Sequence, residues 1–466
     1  MGRLLISATH KSSGKTIIST ALAAILKARR LNPRPYKKGP DYIDPQWLSA
    51  AAGCPCYNLD FNVQSKDEIV AMVADKSPTG SFTLIEANKG LYDGVSVDGS
   101  NSNAALTKLL RCPVLLVVDC DGMTRGIAPL LLGYSDFDPE LTIGGVILNR
   151  VGGTRHQSKL IAAVEQYTDI PVMGTVMKDK TLLLPERHLG LIPANEASDK
   201  MRFIEAIAER IVAQLDIEKI IELAALTAPL PKIASRQRGH RKPTADIRIG
   251  VFKDAAFGFY YPDDLEALEQ LGAELLFIDS LSDARLPATD GLFIGGGFPE
   301  TQADVLEANR PLRTAVAEAI EGGIPVYAEC GGLMYLTRGI HWQGRRFEMC
   351  GVIDADTYVD KVPQGRGYVE LIADNTISRR QLGDNDQPAT IYAHEFHYSR
   401  LIDIKSDYQT AYKVNRGVGL GNGRDGIIYK NLLAMYAHQR NVCGDWARIF
   451  SDLVRQHKKT PATAFV

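Results

Sequence analysis

The feature that most constrains the fold is a regular alternation of short apolar runs with segments of helical periodicity. The first half contains the runs RLLISA, FTLIEA, CPVLLVVD, IGGVILNRV and IPVMGTV, bounded by Gly, Pro or Asp. Helical patterns such as KTIISTALAAILKARR lie between them. Continuous apolar strands separated by helices indicate a parallel sheet with crossover helices. The sequence therefore predicts an α/β fold.

A second α/β region follows a change in composition. The stretch LTAPLPKIASRQRGHRKPTADIR is rich in proline and in polar or basic residues and has no sustained period, which is typical of a linker. Beyond it the alternation resumes with RIGVFKD, AELLFID, GLFIGGG and IPVYAEC. Because 466 residues exceed one ordinary core, we predict two domains, at residues 1–224 and 248–455, joined by a linker at 225–247.

Charge and composition narrow the classes of function. The net charge of -2 gives no overall attraction for nucleic acid or for an anionic membrane. The seven cysteines form neither a dense disulfide framework nor a CxxC pair, which indicates a reducing compartment. The sequence shows no signal peptide and no apolar run of the roughly eighteen residues that a membrane span needs. We expect a cytoplasmic enzyme that binds neither nucleic acid nor membrane.

The segment SATHKSSGKT lies between the first predicted strand and the first predicted helix. In a phosphate loop, Gly14 would let the backbone turn toward a phosphate, Lys15 would reach the β- and γ-phosphates, and Thr16 would ligate Mg²⁺. Thr9 stands where the usual pattern, GxxxxGKS or GxxxxGKT, has its first glycine. Because strand, loop and helix agree, the segment predicts nucleotide binding.

Two further charged segments follow predicted strands of the first half. Parallel sheets bind ligands at the carboxyl ends of their strands, so both segments are candidate site elements. Carboxylates there can hold Mg²⁺ or position a nucleophile, and lysines can neutralise phosphate or substrate carboxylates. Taken alone, each segment is equally well explained as a solvated loop; beside a phosphate loop, function is favoured. The charged residues are Lys37, Lys38, Asp41 and Asp44 in YKKGPDYIDPQWL, and Glu86, Lys89 and Asp93 in LIEANKGLYDG.

A cysteine marks a candidate second site. IPVYAECGGLMYL places Cys330 between an apolar strand and a helix, where a sharp turn would present the thiol and the helix N-terminus would lower its pKa. GLFIGGGFPE places Gly295–Gly297 at another strand end, where backbone N–H groups can stabilise an oxyanion. His438 supplies a base. An isolated cysteine is more often a buried apolar residue, but this combination favours a nucleophile.

These motifs resemble one enzyme family along nearly the whole chain. VYAECGGLMYL, GGGFPE and DGIIYKNLLAMYAH resemble the glutamine amidotransferase domain of the cobyric acid branch. SSGKT, KKGPDYIDP, NLD, GLYDG, GYSDFDPE, VILNRVG and LPERHLGL resemble the synthetase domain of the cobyrinic (or hydrogenobyrinic) acid a,c-diamide synthase family, whose fold is similar to dethiobiotin synthetase. The resemblance implies ATP- and Mg²⁺-dependent activation of two acetate carboxylates of a tetrapyrrole, through acyl phosphates, and amidation with ammonia from glutamine.

The resemblance also implies roles for individual residues. ATP would be bound by Ser13, Gly14, Lys15, Thr16 and Lys37, with Asn149 near the adenine. The metal would be held by Thr16, Glu86 and Asp93. The ring carboxylates would face Asp41, Tyr42 and Ile43. Apart from the resemblance, the charges of Lys38 and Lys89 predict that these lysines contact the ring carboxylates, with solvated or phosphate-holding lysines as the open alternative. Cys330 would be the glutaminase nucleophile and His438 its base, with Gly296, Gly297 and Gly331 forming the glutamine pocket. His394 and His397 match the family, but the resemblance assigns them no chemistry.

One departure from the family pattern leaves the identity of the ring open, and two other positions bear on alternative classes. The family commonly has EGVMGLYDG where this chain has EANKGLYDG, and a neutral residue where it has Lys38, so a siroheme amidase branch with the same chemistry stays an alternative. Arg440 stands where ordinary class I amidotransferases carry a glutamate two residues after the histidine, which implies a Cys–His dyad. His10 stands where partition-type ATP switches carry an extra lysine, which disfavours that class. A stand-alone carboxylase would not need the second half, and a homodimer is compatible with the resemblance.

Overall fold

The chain is described by a computed structural model at residues 2–182, 186–187, 190–197, 199–232, 243–373, 390–443 and 445–459. It divides into two compact units, Met1–Gln237 and Arg238–Val466. Part of the predicted linker, residues 233–242, lies outside the described residues. The boundaries of the predicted domains therefore stay a prediction.

A parallel sheet forms the centre of the first unit. Its strands are β1 (Arg3–Ala8), β2 (Pro33–Lys38), β3 (Tyr57–Leu59), β4 (Phe82–Glu86), β5 (Val114–Asp119), β6 (Ile143–Val151) and β7 (Val172–Met177). They lie in the order β3-β2-β4-β1-β5-β6-β7, and each neighbouring pair is parallel. A short antiparallel pair, β8 (Glu186–Arg187) and β9 (Gly190–Leu191), lies outside this sheet. The phosphate-loop segment therefore follows a central strand.

Helices connect these strands, as the alternating sequence predicts. They are α1 (Lys15–Ala28), α2 (Ile43–Ala52), α3 (Lys66–Lys76), α4 (Asn103–Leu110), α5 (Ile127–Asp136), α6 (Thr154–Tyr167), α7 (Lys200–Val212) and α8 (Ile217–Ala225), with a 3-10 turn at Lys180–Leu182. Leu4 and Ile6 enter one apolar core, and Leu5 between them enters another. Both faces of the sheet are thus buried, which is why its strands are continuously apolar.

The second unit contains a mixed sheet and a smaller one. Its strands are β10 (Ile247–Phe252), β11 (Ala273–Ile278), β12 (Gly291–Ile294), β13 (Val326–Glu329), β14 (Thr337–Trp342), β15 (Arg345–Glu348), β16 (Ile353–Val359), β17 (Gly365–Ala373), β18 (Thr390–His397), β19 (Ser399–Ile402), β20 (Gln409–Arg416), β21 (Arg424–Tyr429) and β22 (Leu432–Met435). The larger sheet has the order β11-β10-β12-β13-β22-β21-β20-β17-β18, and the smaller one β15-β14-β16-β19.

The parallel part of the larger sheet, from β11 to β22, positions the second candidate site. Helices α9 (Pro262–Gln270), α10 (Ala303–Ala308), α11 (Arg310–Glu321), α12 (Gly331–Leu336) and α13 (Trp446–Lys459) belong to this unit, with 3-10 turns at Pro299–Gln302 and Asn441–Cys443. Strand β13 pairs in parallel with β12 on one side and β22 on the other. The carboxyl ends of β12, β13 and β22, which precede Gly295, Cys330 and Tyr436 respectively, therefore lie side by side.

The predicted fold class is confirmed: a parallel-sheet unit with a phosphate loop precedes a second α/β unit. The antiparallel strands β17, β18, β20 and β21 were not part of the sequence prediction. Within the described part of the chain, no helix is both long and apolar enough to cross a membrane.

Candidate active sites

The phosphate loop joins the end of β1 to the start of α1. Gly14 adopts φ 92°, a conformation that residues with a side chain rarely take, immediately before Lys15 begins the helix. A Cβ atom on Gly14 would lie 2.2 Å from Asn149 Nδ2. That amide nitrogen donates a 2.8 Å hydrogen bond to the carbonyl of Ser13. Asn149 therefore lies against the loop backbone, and its predicted role beside the adenine stays a prediction.

Lys15 and Thr16 open helix α1 beside the end of β4. Lys15 is buried, and this burial together with the nearby Lys37 charge lowers the pKa of its ammonium to about 8. The Thr16 hydroxyl donates a 3.1 Å hydrogen bond to Glu86 Oε1. The structure therefore brings together three of the residues that the sequence assigned to phosphate and metal, namely Lys15, Thr16 and Glu86.

A buried lysine joins three carboxylates at the ends of β2 and β4. Lys37 Nζ lies 2.5 Å from Asp44 Oδ2, 2.7 Å from Glu86 Oε1 and 3.8 Å from Asp41 Oδ2. Burial alone would lower the pKa of Lys37, but the Asp44 and Glu86 carboxylates outweigh it and raise this pKa well above its usual value. Burial raises the pKa of Glu86, although Lys37 opposes the shift. The lysine holds the acidic groups together at the phosphate loop.

The metal prediction can be tested against the donors present. Glu86 is fully buried, and its Oε2 has no hydrogen-bond partner within the described residues. A carboxylate oxygen beside the Thr16 hydroxyl fits Mg²⁺, which prefers oxygen donors and keeps several waters. Asp93 is exposed and accepts a 2.8 Å hydrogen bond from the Gly90 amide. The described residues contain no group of three or more His, Cys, Asp or Glu side chains arranged to hold a metal.

The predicted substrate residues differ in burial. Asp41 Oδ1 accepts hydrogen bonds from the Ile43 and Asp44 amides at 2.9 and 3.1 Å, so this carboxylate stabilises the start of α2. Tyr42, between them, is buried with 8% of its surface exposed. The Lys38 ammonium donates a long hydrogen bond, 3.4 Å from Nζ, to Asn88 Oδ1.

The two lysines assigned to the substrate have different environments. Lys38 is buried with 6% of its surface exposed, whereas Lys89 is exposed and adopts φ 44°. Burial lowers the pKa of Lys38 to about 8; Asp60 opposes this shift, and the Lys89 and Lys37 charges add to it. A buried ammonium with a long contact to an amide oxygen is a candidate partner for an anionic group.

Cys330 lies on a strained turn between β13 and α12. Its backbone adopts φ 46° and ψ −101°, a sparsely populated conformation for a residue with a side chain, and its amide donates a 2.7 Å hydrogen bond to the Met435 carbonyl. The expected net lowering of the thiol pKa is wrong. Burial, and then the nearby Glu300 carboxylate, raise the pKa of Cys330 well above its usual value, and they outweigh the hydrogen bond from the Gly331 backbone at the start of α12, which lowers it.

The glycine segment after β12 contacts His438 and the glycine that follows Cys330. A Cβ atom on Gly296 would lie 2.4 Å from His438 Cε1, so the imidazole edge rests on this backbone. A Cβ atom on Gly331, next to Cys330, would lie 3.0 Å from the Gly297 amide nitrogen. The structure therefore brings Gly296, Gly297 and Gly331 together with His438, as the sequence predicts for a pocket.

His438 is buried in a polar cluster three residues beyond β22. Its Nδ1 lies 3.3 Å from Glu329 Oε2, and its ring stacks on that of His394 with centroids 5.0 Å apart. The backbones of His394 and His438 exchange hydrogen bonds of 3.2 and 2.8 Å. Burial, and then the charges of His438 and Arg440, lower the pKa of His394 well below its usual value. His394 thus packs against the predicted base as a neutral ring.

Arg440 and His397 take structural positions around this cluster. Arg440 donates a 2.6 Å hydrogen bond to Asp263 Oδ2, and its guanidinium lies 4.5 Å from the centroid of the Tyr261 ring. His397 Nδ1 donates a 2.8 Å hydrogen bond to the Ser399 carbonyl, and its ring stacks on a neighbouring tyrosine. Arg440 therefore does not substitute for the carboxylate that ordinary class I amidotransferases have at this place.

Sequence reasoning missed Glu329 as a member of this cluster. The available signal was a charged residue at the end of the apolar run PVYAE, directly before the cysteine. Glu329 has only 2% of its surface exposed, and a buried carboxylate is uncommon unless it has partners.

Two domain families match the chain, one in each unit. Residues 4–192 match the CobQ/CobB/MinD/ParA nucleotide binding domain. Residues 248–441 match the CobB/CobQ-like glutamine amidotransferase domain.

Curated relatives match almost the full length. Cobyrinate a,c-diamide synthase of Magnetococcus marinus is 41% identical over 444 residues, which cover 94% of this chain and 93% of the relative. The enzymes of the same name from Archaeoglobus fulgidus and Methanosarcina acetivorans are 39% and 37% identical, cover 94% of this chain, and are themselves covered to 93% and 92%.

Proposed function

Since the chain belongs to the cobyrinate a,c-diamide synthase family, we propose that it converts the a and c acetate carboxylates of cobyrinic or hydrogenobyrinic acid into amides, with ATP and glutamine as co-substrates. Members of this family are amide-forming ligases that hydrolyse glutamine, and the chain is one of them. The observation that carries the proposal is the presence, in a single chain, of a phosphate loop in one unit and, in the other, a buried Cys330 on a strained turn together with a buried His438 beside Glu329.

The glutamine half of the reaction would take place at Cys330. The thiol proton passes to His438, Sγ attacks the carboxamide carbon, and the backbone at Gly296, Gly297 and Gly331 surrounds the oxygen that gains charge. The leaving nitrogen takes the proton from His438 and departs as ammonia, which leaves a thioester. Water then hydrolyses the thioester to glutamate and restores the thiol.

The ATP half of the reaction would take place at the phosphate loop. A ring carboxylate oxygen attacks the γ-phosphorus, ADP leaves, and ammonia then displaces phosphate from the acyl phosphate to give the amide. Lys15 lies at the helix N-terminus, where its charge and the backbone N–H groups can attract phosphate oxygens. Ser13 and Gly14 shape that loop, and Lys37 fixes the acidic side chains beside it.

Mg²⁺ is part of this proposal through Thr16 and Glu86. When bound, Mg²⁺ would neutralise charge on the phosphate oxygens during transfer. The Thr16 hydroxyl lies 3.1 Å from Glu86 Oε1, and Glu86 Oε2 is buried without a partner in the described residues, so both can turn to a cation. The sequence assigns Asp93 to the same ion. Asp93 is exposed, and we propose it as a further ligand.

The tetrapyrrole would approach the segment from Lys38 to Ile43. A ring with several carboxylates is strongly anionic, and the buried Lys38 ammonium offers a charge with weak solvent screening. Asp41, Tyr42 and Ile43 follow it, and Lys89 lies on the neighbouring exposed turn. These residues are proposed to select which carboxylate reaches the γ-phosphate.

One assay tests the reaction and its alternatives. The chain is incubated with ATP, Mg²⁺, glutamine and, separately, cobyrinic acid, hydrogenobyrinic acid or siroheme, and the products are analysed by mass spectrometry. Doubly amidated cobyrinic or hydrogenobyrinic acid supports the proposal. Amidation of siroheme alone overturns the ring assignment but retains the reaction type. ATP hydrolysis at a rate that no ring acid and no glutamine changes indicates an ATP switch and overturns the proposal.

A further inference from the structure

Glu329 directly precedes the proposed nucleophile and faces the proposed base. Its Oε2 lies 3.3 Å from His438 Nδ1, and both side chains are almost completely buried, with 3% and 2% of the side-chain surface exposed. The position that supplies a carboxylate in ordinary class I amidotransferases is occupied by Arg440, which is paired with Asp263 instead. The carboxylate beside the His438 imidazole is therefore that of Glu329, at the end of β13.

The second oxygen of Glu329 is held by two donors. Glu329 Oε1 accepts hydrogen bonds from the Tyr327 hydroxyl at 2.9 Å and from the Gln439 amide at 3.0 Å. These bonds attach the carboxylate both to its own strand and to the segment that carries His438. The orientation of Oε2 toward the ring is thus fixed at two points.

The imidazole is also held from its other sides. Its Cε1 edge rests on the backbone of Gly296, and one ring face stacks on His394, whose pKa is lowered so that this neighbour carries no charge near neutral pH. With the ring confined in this way, a rotation that would move Nδ1 away from Glu329 meets the Gly296 backbone.

We propose that Glu329 is the positioning carboxylate of the glutaminase site, so that a Glu329–His438 pair replaces the histidine–glutamate arrangement of ordinary class I amidotransferases. Glu329 accepts a hydrogen bond from His438 Nδ1–H, which fixes the tautomer in which Nε2 receives the Cys330 proton. When that transfer makes the imidazolium, the carboxylate stabilises it; the proton stays on the imidazole and later leaves with ammonia. The inference rests on the proposed glutaminase role of Cys330 and His438.

The test is the variant Glu329→Gln in the full-length chain. The side-chain amide keeps the shape of the carboxylate and can still accept the Tyr327 and Gln439 hydrogen bonds through its oxygen. It presents an N–H group to Nδ1, which favours the opposite tautomer of His438. We expect kcat for glutamate release to fall by about 10²–10⁴-fold with little change in the KM for glutamine, as for other orienting carboxylates. Amidation supported by free ammonia should persist.

The tautomer of His438 distinguishes a positioning role from a merely structural one, because a purely structural role of Glu329 would leave that tautomer unchanged in the variant. NMR of isotope-labelled histidine side chains, assigned with His438→Gln, should show a proton on Nδ1 in the native chain and on Nε2 in Glu329→Gln. Glu329→Asp keeps the charge at a longer distance, so it should retain the native tautomer and lose less activity. Asp425→Asn is a matched control, because Asp425 is also buried and accepts amides of the segment before His438.

Two results would overturn the inference. One is glutamate release by a folded Glu329→Gln variant within about threefold of the native rate. The other is an unchanged His438 tautomer in that variant, or a tautomer change of equal size in Asp425→Asn. If Glu329→Gln does not fold, Glu329→Asp decides: full activity in that variant, despite the retracted carboxylate, contradicts the positioning role. Native chain that releases glutamate but amidates no tetrapyrrole refutes the proposed function and leaves this inference standing.

Discussion

The substitution Gly296→Ala gives a direct test of how His438, the proposed glutaminase base, is held. Gly296 follows β12, and its backbone meets the edge of the His438 ring. A Cβ atom there would lie 2.4 Å from Cε1, 3.3 Å from Nε2 and 3.4 Å from Nδ1. Gly296 has no left-handed φ, so an alanine is compatible with the backbone and the perturbation is confined to the side-chain contact.

The expected magnitude follows from that distance. Carbon atoms in contact are normally about 3.5–4.0 Å apart, so the imidazole must retreat by roughly 1 Å. Overpacking of this kind costs about 1–3 kcal/mol in stability. A misplacement of about 1 Å in a catalytic group lowers the rate by roughly 10²-fold. We therefore expect glutamine-supported amidation to fall by about that factor.

The assay compares glutamine with free ammonia as the nitrogen donor for the same ring substrate. Gly296→Ala should impair only the glutamine reaction, because the phosphate loop belongs to the other unit. Gly133→Ala is the matched control, since a Cβ atom there meets nothing within 4 Å and the position is inside α5. Glutamine-supported activity within about twofold of the native value in Gly296→Ala would refute the placement of His438 as base.

Four further outcomes are expected. Cys330→Ser should abolish glutamine-supported amidation and retain the ammonia reaction; equal loss of both in a folded variant contradicts the assignment. Since burial and Lys37 lower the pKa of Lys15 to about 8, the Kd for ATP by calorimetry should rise from about pH 7 to about pH 9 as Lys15 loses its charge, but not in Lys15→Arg. Glu86→Gln should raise the Mg²⁺ concentration needed for half-maximal ATP turnover, and an unchanged titration argues against a metal role. Lys38→Met should alter the ranking of cobyrinic acid, hydrogenobyrinic acid and siroheme in parallel assays more than glutaminase activity; an unchanged ranking contradicts its role in selectivity.

The sequence identified the parallel strands more readily than the antiparallel ones for a physical reason. Strands such as β1 and β5 are buried on both faces and are therefore continuously apolar, which makes them visible as runs. Strand β20, with the sequence QTAYKVNR, mixes buried with exposed residues and ends in a charged arginine. Its pairing with β17 and β21 depends on partners far along the chain, and no local pattern in its own residues specifies them.

The thiol pKa shows where local reasoning about a site ends. A turn from a strand into a helix is visible in the letters AECGG, and the structure has that turn at Cys330. The pKa, however, depends on how completely the surrounding chain removes water and on which carboxylates approach. Glu300 belongs to a distant segment, and its charge, with burial, raises the pKa that the helix was expected to lower. Neither quantity can be read from the residues next to the cysteine.

Strand register explains why the key ion pairs of both sites were only partly predictable. Lys37 and Glu86 are direct partners across β2 and β4, so their side chains point to the same face of the sheet although they are far apart in sequence. In the second unit, β13 pairs with β22 so that Glu329 lies opposite Met435, and the chain beyond Met435 brings His438 to the carboxylate. A shift of one residue in either pairing would turn one partner to the opposite face. Sequence motifs can nominate such residues singly, but register decides which of them meet.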